Sequence, residues 1–306
     1  MRRRKTNKNY DIFSNFTYFT PDASGIVGLT AWFIAGSVLG SVVTLIMGAI
    51  LGHSADATSY AMLVAYPVMF IPPMIFASHR SQMNSFFEPG YKISNDHYEP
   101  LGGPFCALLV MAATLAASFL ADCLTGLLPE MPERLEEILK SMTQGKLWVD
   151  FLCVSIFAPI FEEWLCRGEV LRGLLNYEHK NKSGEKVRGI KPVWAIVISA
   201  AFFAIIHANP WQAVPAFALG CLFGYVYYKT GSIKLTMLMH CTNNTFALVM
   251  GNIDKFKDVD SWSEILPPVR YAALLLLCAA FIWYFIRKFD GIKLQRPQGN
   301  CDEVSA

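Results

Sequence analysis

Charge is scarce in this chain. Asp, Glu, Lys and Arg make up 16% of its 306 residues, against roughly 25% in ordinary soluble proteins. Hydrophobic residues reach 54% and the mean hydropathy is +0.35. That balance argues against a soluble enzyme, a disordered chain and a nucleic-acid binder. The net charge is only +2, so no affinity for an acidic partner can be read from the total. Cys-x-x-Cys is absent among the eight cysteines, which leaves a zinc site of the usual cysteine spacing without support. Seven of the eight lie in apolar stretches and read as small buried residues. Cys301 lies in the polar tail with five residues after it, so the tail is not a prenylation box. Ser155 and Ser199 have no Gly-x-Ser-x-Gly elbow around them. Glycine-rich phosphate loops and internal repeats are also lacking.

What is present is a series of uncharged runs. Residues 23–55, 57–79, 100–121, 192–228 and 235–253 contain no Asp, Glu, Lys or Arg. A membrane span needs about 20 mostly apolar residues, so the run 192–228 is too long for one. Asn209-Pro210 divides it with a turn. Residues 148–175 and 268–286 complete an expectation of an all-α polytopic membrane protein. Its eight helices fall at about 26–50, 60–78, 102–126, 148–175, 192–208, 211–228, 232–251 and 268–286. The first begins some distance after a basic start and lacks a small-residue cleavage site, so it reads as a retained anchor.

Lys and Arg set the direction. With the N-terminus in the cytoplasm, eighteen of the 26 Lys and Arg fall in inner segments and six in outer ones. The other two, Arg167 and Arg172, lie within the fourth helix. Both termini are then cytoplasmic, and the protein reads as multi-pass in a bacterial cytoplasmic membrane. The organisation is a cytoplasmic segment 1–25, helices one to three over 26–127, and an extracytoplasmic amphipathic segment 128–147. Helices four to seven follow over 148–251, then an outer loop and helix eight over 252–286, and a tail 287–306. Leu135, Ile138 and Leu139 have the spacing of a short helix lying on the outer surface. Residues 177–191 read as a basic cytoplasmic loop. Gly36-xxx-Gly40 and Gly220-xxx-Gly224 would let helix backbones approach closely, unless they are chance glycines.

Charge inside a span is costly and points to function. Helix four reads Phe161-Glu162-Glu163-Trp164-Leu165-Cys166-Arg167. Glu163 and Arg167, four apart, share one face, while Glu162 lies about 100° round. One glutamate can be neutralised locally and the other left to point elsewhere; a purely structural ion-pair cluster is the alternative. Phe203-xxx-His207 ends helix five. His240 and Asn244 share a face of helix seven. A carboxylate held away from water can take a proton from a bound water, helped by an imidazole. A second imidazole and an amide can donate hydrogen bonds to an oxyanion. Glu162, His207 and His240 could instead hold zinc with an open position.

Glu162-Glu163-xxx-Arg167, Phe203-xxx-His207 and His240-xxx-Asn244, in that order within hydrophobic helices, resemble the three motifs of the CPBP family. It comprises the CAAX prenyl proteases of the Rce1 type and the Abi proteins of bacteriocin processing and immunity. The resemblance covers roughly residues 148–250. It implies an eight-helix intramembrane endopeptidase in which Glu162 and His207 activate water. His240 and Asn244 then stabilise the oxyanion, and Glu163 and Arg167 support them. The family is also labelled a metalloprotease. The expectation here is activity without a cofactor, with zinc on the same residues as the alternative. The expected partners are the lipid bilayer and a membrane-associated peptide or protein, with no nucleic acid. A proton-coupled transporter and a non-catalytic immunity or adaptor protein are the competing readings. The resemblance favours a cavity open to the cytoplasmic side and the membrane. On helical rise, Glu162 lies about 21 Å below the outer start of its helix and His207 about 22 Å above the inner start of its own. These depths do not match in a core of about 30 Å.

Overall fold

The computed structural model describes residues 12–52, 54–87, 90–141, 145–180, 183–184, 186–256, 259 and 261–294. The basic start of the chain, Lys182, Lys257, Arg296 and Cys301 lie outside the described residues. The fold is all-α apart from one small hairpin. In chain order come α1 (Ala23–Leu51), α2 (Ala55–Asn84), α3 (Gly103–Thr125) and α4 (Glu133–Ser141). A continuous helical stretch over 147–176 is called α5. Then follow β1 (Glu178–Lys180) and β2 (Lys186–Arg188), α6 (Pro192–Ile205), α7 (Pro210–Thr230) and α8 (Ile233–Gly251). The short α9 (Trp262–Ile265) and α10 (Pro268–Asp290) end the described chain.

Among the described residues the helices follow the order of the apolar segments of the sequence. Four of them are long and apolar enough to cross a membrane: α1, α2, α3 and α10. Burial is reversed relative to a soluble protein. Val27, Ile34, Leu45 and Ile50 of α1 are exposed, as are Leu276, Leu277 and Trp283 of α10, while Glu163, Arg167, Glu169 and Arg172 are buried. Apolar side chains outside and charges inside are what a bilayer solvent demands.

Three expectations need correction. The segment 177–191 is not a plain loop: β1 and β2 pair antiparallel within it. Strand hydrogen bonds satisfy the backbone of this polar excursion where helix propensity is low. Helix α2 runs further than 60–78 at both ends, because Ser54 caps it through the Ala57 N–H and polar residues continue the helix past the apolar stretch. His207 does not lie in the last turn of α6. The helix stops at Ile205, and Ala208 takes φ 57° before Asn209 caps α7 by accepting from the Gln212 N–H. Asn209-Pro210 does divide the run, with Pro210 at the first helical position, where its missing N–H costs nothing.

The glycine spacings are used for packing. A Cβ on Gly36 would lie 1.9 Å from the Met69 carbonyl oxygen, so only glycine lets α1 meet α2 there. A Cβ on Gly220 would lie 3.2 Å from the Ala200 Cα of α6 and 3.3 Å from Arg167 Nη2. That second approach brings α6 and α7 together over α5.

The two ends of the bundle differ. At one end Arg172 donates to the carbonyls of Phe16, Phe19, Tyr91 and Gly168 at 3.1, 2.7, 2.6 and 2.6 Å, and pairs with Glu169 at 3.1 Å. At the same end Asp96 accepts from Ser94 and Ser232 at 2.7 Å each and pairs with Lys234. Burial would raise the Asp96 carboxyl, but these donors outweigh it and hold it below the usual range. Asn95 N–H and His97 N–H donate to the Gly231 and Thr230 carbonyls. The segment 90–102 is thereby laced across the helix ends. At the other end α4, an amphipathic helix as expected from Leu135, Ile138 and Leu139, follows α3.

Candidate active site

Helix α5 positions the two glutamates. It is α-helical over Ala158–Glu163 but widens to π-helical turns over Phe151–Phe157 and Trp164–Leu171. Such widened turns recur at functional sites. The i, i+4 contact survives: Arg167 Nη1 lies 2.7 Å from Glu163 Oε1, with both side chains fully buried. Arg167 Nη2 donates to the Gly220 carbonyl at 3.0 Å. The guanidinium also lies 4.5 Å over the Phe203 ring and 5.3 Å from that of Phe223. Charge, hydrogen bond and aromatic faces together hold it without water.

Glu163 has a second partner. Its Oε1 lies 3.1 Å from His240 Nδ1. A carboxylate only accepts, so Nδ1 carries the proton and Nε2 is turned away from Glu163. That Nε2 lies 3.9 Å from Glu162 Oε2. Glu162 Oε1 accepts a hydrogen bond from the Tyr66 hydroxyl of α2, while Oε2 has no hydrogen-bond partner among the described residues. The adjacent glutamates thus do different work, as their 100° separation implies. One is locked into Arg167 and His240, and the other faces a cavity.

That cavity measures about 750 Å³ and is lined by Glu162, His207, His240 and Asn244 together. The cavity lining brings together Glu162 and His207, which helical rise alone places at different depths. His207 Nδ1 lies 2.8 Å from the Phe203 carbonyl, which can only accept, so its Nε2 is the unprotonated nitrogen when the ring is neutral. The Phe203 ring stands edge-on to both imidazoles, at 4.9 Å from His207 and 5.5 Å from His240. Asn244 Nδ2 donates to the Val154 carbonyl at 2.8 Å. Its Oδ1 accepts from Asn243, whose own Oδ1 accepts from Ser118. One N–H of the Asn244 amide is not used by that chain.

Every expected site residue is therefore in one place, with Glu163 and Arg167 behind the cavity wall and the other four on it. Tyr66, Ser118 and Asn243 escaped the sequence reading. Tyr66 stands in an uncharged span with nothing local to mark it. Asn243 had a signal, since it adjoins Asn244 within an apolar helix. Glu169 was also missed, three residues from Arg172 at helical spacing. As for a metal, no three His, Cys, Asp or Glu side chains converge as a ligand group among the described residues. As placed, Glu162, His207 and His240 are groups around a cavity and not a ligand cluster.

Fold and site together define an all-α polytopic membrane protein with a carboxylate, two imidazoles and an amide gathered on an internal cavity. Residues 144–246 match the family model described as type II CAAX prenyl endopeptidase Rce1-like. The matched stretch contains all three motifs read from the sequence. The match supports an intramembrane endopeptidase. No curated protein and no solved structure matches the chain.

Proposed function

We propose that this protein hydrolyses a peptide bond of a membrane-associated protein or peptide within the bilayer. The observation that carries the proposal is the position of Glu162. One carboxylate oxygen is held by Tyr66, and the other, without a hydrogen-bond partner among the described residues, lies on the cavity 3.9 Å from His240 Nε2. That gap exceeds a hydrogen bond but suits one intervening oxygen. In this reading Glu162, helped by His207 Nε2, takes a proton from the attacking water. The oxygen adds to the scissile carbonyl, and Glu162 delivers its proton to the leaving amine. His240, oriented by Glu163, and the spare N–H of Asn244 face the oxyanion and stabilise it. Cleavage of a membrane-peptide library by the purified protein, against Glu162→Ala, is the direct test. No cleavage of any member by the wild type would favour the immunity or adaptor reading.

Tyr66 is a positioning residue in this scheme. Hydrogen bonds to charged groups contribute about 1.5–3 kcal/mol, so Tyr66→Phe is expected to lower kcat by about tenfold or more with KM little changed. Steady-state kinetics on one cleaved peptide check this. A rise in KM alone would make Tyr66 a substrate contact instead.

Asn244 tests the oxyanion role against metal catalysis. Loss of one oxyanion donor costs about 10²–10³ in turnover, so Asn244→Ala is expected to be slow but measurable. Turnover of the wild type is expected to survive chelation. Activity lost with one zinc per chain and restored on its return would favour the metalloprotease instead.

A further inference from the structure

The cavity runs to one end of the bundle only. Beyond the four site residues its walls are formed by Asp122 in the last turn of α3, Asp150 in the first turn of α5 and Gln212 in the first turn of α7. The end of α8 and the connection through α9 complete that wall with Met250 and Trp262. Successive long helices alternate in direction, so all of these belong to the same end of the molecule. No residue of 12–22, 90–102 or 229–234 lines the cavity. That opposite end is the one closed by Arg172 and by the Asp96 cluster.

The fold of α6 agrees. The helix has 14 residues, about 21 Å of rise, which is short of a bilayer core of about 30 Å. The turn carrying His207 and Ala208 therefore comes before the far surface. Irregular backbone at such depth is tolerated where it lines a water-filled cavity, and Ile206 and His207 both line this one. At the mouth, Trp211 Nε1 donates to the Pro129 carbonyl at 2.8 Å, which ties the segment leading to amphipathic α4 to the cavity rim.

The closed end is also the basic end: among the described residues outside α5, eleven Lys and Arg lie there and five at the opposite end. By the positive-inside rule it faces the cytoplasm. The chemistry of the cavity is equally one-sided. Among the described residues its charged lining groups are Asp122, Asp150 and Glu162, and no described Lys or Arg lines it. Asp122 accepts from Ser261 and Tyr271, and buried Asp150 accepts from Ser59. Apolar walls focus the field of such carboxylates on whatever enters.

We propose that the catalytic cavity opens to the extracytoplasmic face, and that it takes from there an apolar peptide segment carrying Lys or Arg rather than Asp or Glu. This is the reverse of the side that the family resemblance favours. It rests on the endopeptidase reading only in calling the bound segment a substrate.

The first test reads the opening without reading activity. Val259→Cys and Gln212→Cys are placed separately in a protein whose Cys123 and Cys301 are serine. Each is reconstituted in vesicles whose orientation is fixed by protease access to an N-terminal tag. A membrane-impermeant maleimide is expected to label both cysteines from the face opposite the tag. Labelling only from the tagged face would overturn the proposal. The second test uses fluorogenic apolar peptides that differ only by Lys or Glu beside the scissile bond. The Lys peptide is expected to be cleaved about tenfold or more faster at low salt, with the difference shrinking as salt rises. Equal rates, or a preference for Glu, would overturn the charge selection. A protein that labels as expected and cleaves neither peptide would refute the endopeptidase reading and leave the direction of opening standing.

Discussion

Glu162→Gln is expected to abolish peptide cleavage while the protein remains folded. The amide keeps the size and shape of the carboxylate and can still accept from Tyr66. It cannot accept a proton from water at neutral pH. The close buried ion pair belongs to Glu163 and Arg167, 2.7 Å apart, and the Glu162 oxygen that faces the cavity has no hydrogen-bond partner to lose among the described residues. General bases contribute about 10²–10⁴-fold in rate, so turnover is expected to fall by at least that much. The check is cleavage by a Glu162→Gln protein that elutes and melts like the wild type. Full activity would remove Glu162 from the mechanism and leave His207 as the base.

Arg167→Ala is expected to fail at an earlier stage, in folded yield. The guanidinium is 0% exposed and so is Glu163. Removing it strands a carboxylate among apolar side chains, and breaking buried pairs in this way costs about 3–5 kcal/mol. It also removes the donor to the Gly220 carbonyl and the cation between the Phe203 and Phe223 rings. Arg167→Lys is expected to rescue only in part, since an ammonium cannot reach Glu163 and Gly220 in the planar geometry of the guanidinium. Replacing both partners, as Glu163→Gln with Arg167→Met, is expected to recover much of the yield, because no unpaired charge remains. It is not expected to recover activity, because His240 Nδ1 loses the carboxylate that orients its ring. Monodisperse yield and thermal unfolding of the three variants check the series. A stable, inactive Arg167→Ala protein would make Arg167 a direct participant instead.

Much of the site was legible because its local parts obey helical periodicity. Glu163 and Arg167 are four residues apart, and an i, i+4 pair must meet whatever the bundle does. The different fates of Glu162 and Glu163 follow from their 100° separation. Asn209-Pro210 breaks a run that is too long for one span, and the structure turns there. A bilayer leaves few alternatives to helices, so the all-α class follows from hydropathy alone. The small hairpin at 178–188 was not legible, since it lies in the polar segment where that constraint does not act.

The remainder was decided by contacts between residues far apart in the chain, which no periodicity encodes. Tyr66 meets Glu162 across 96 positions, and Ser118 reaches Asn243 across 125. Arg172 read as one more charge in a helix, yet its donors bind carbonyls more than 150 positions away at Phe16 and Phe19. Gly36 looked like a chance glycine until the Met69 carbonyl was found where its Cβ would stand. The direction of the cavity belongs to the same class. Sequence alone determined which groups stand in apolar helices and which end of the bundle is basic, because hydropathy and charge are properties of each segment. Only the packing of the segments decided which end is sealed and which is open, because a cavity is the space that several helices leave between them.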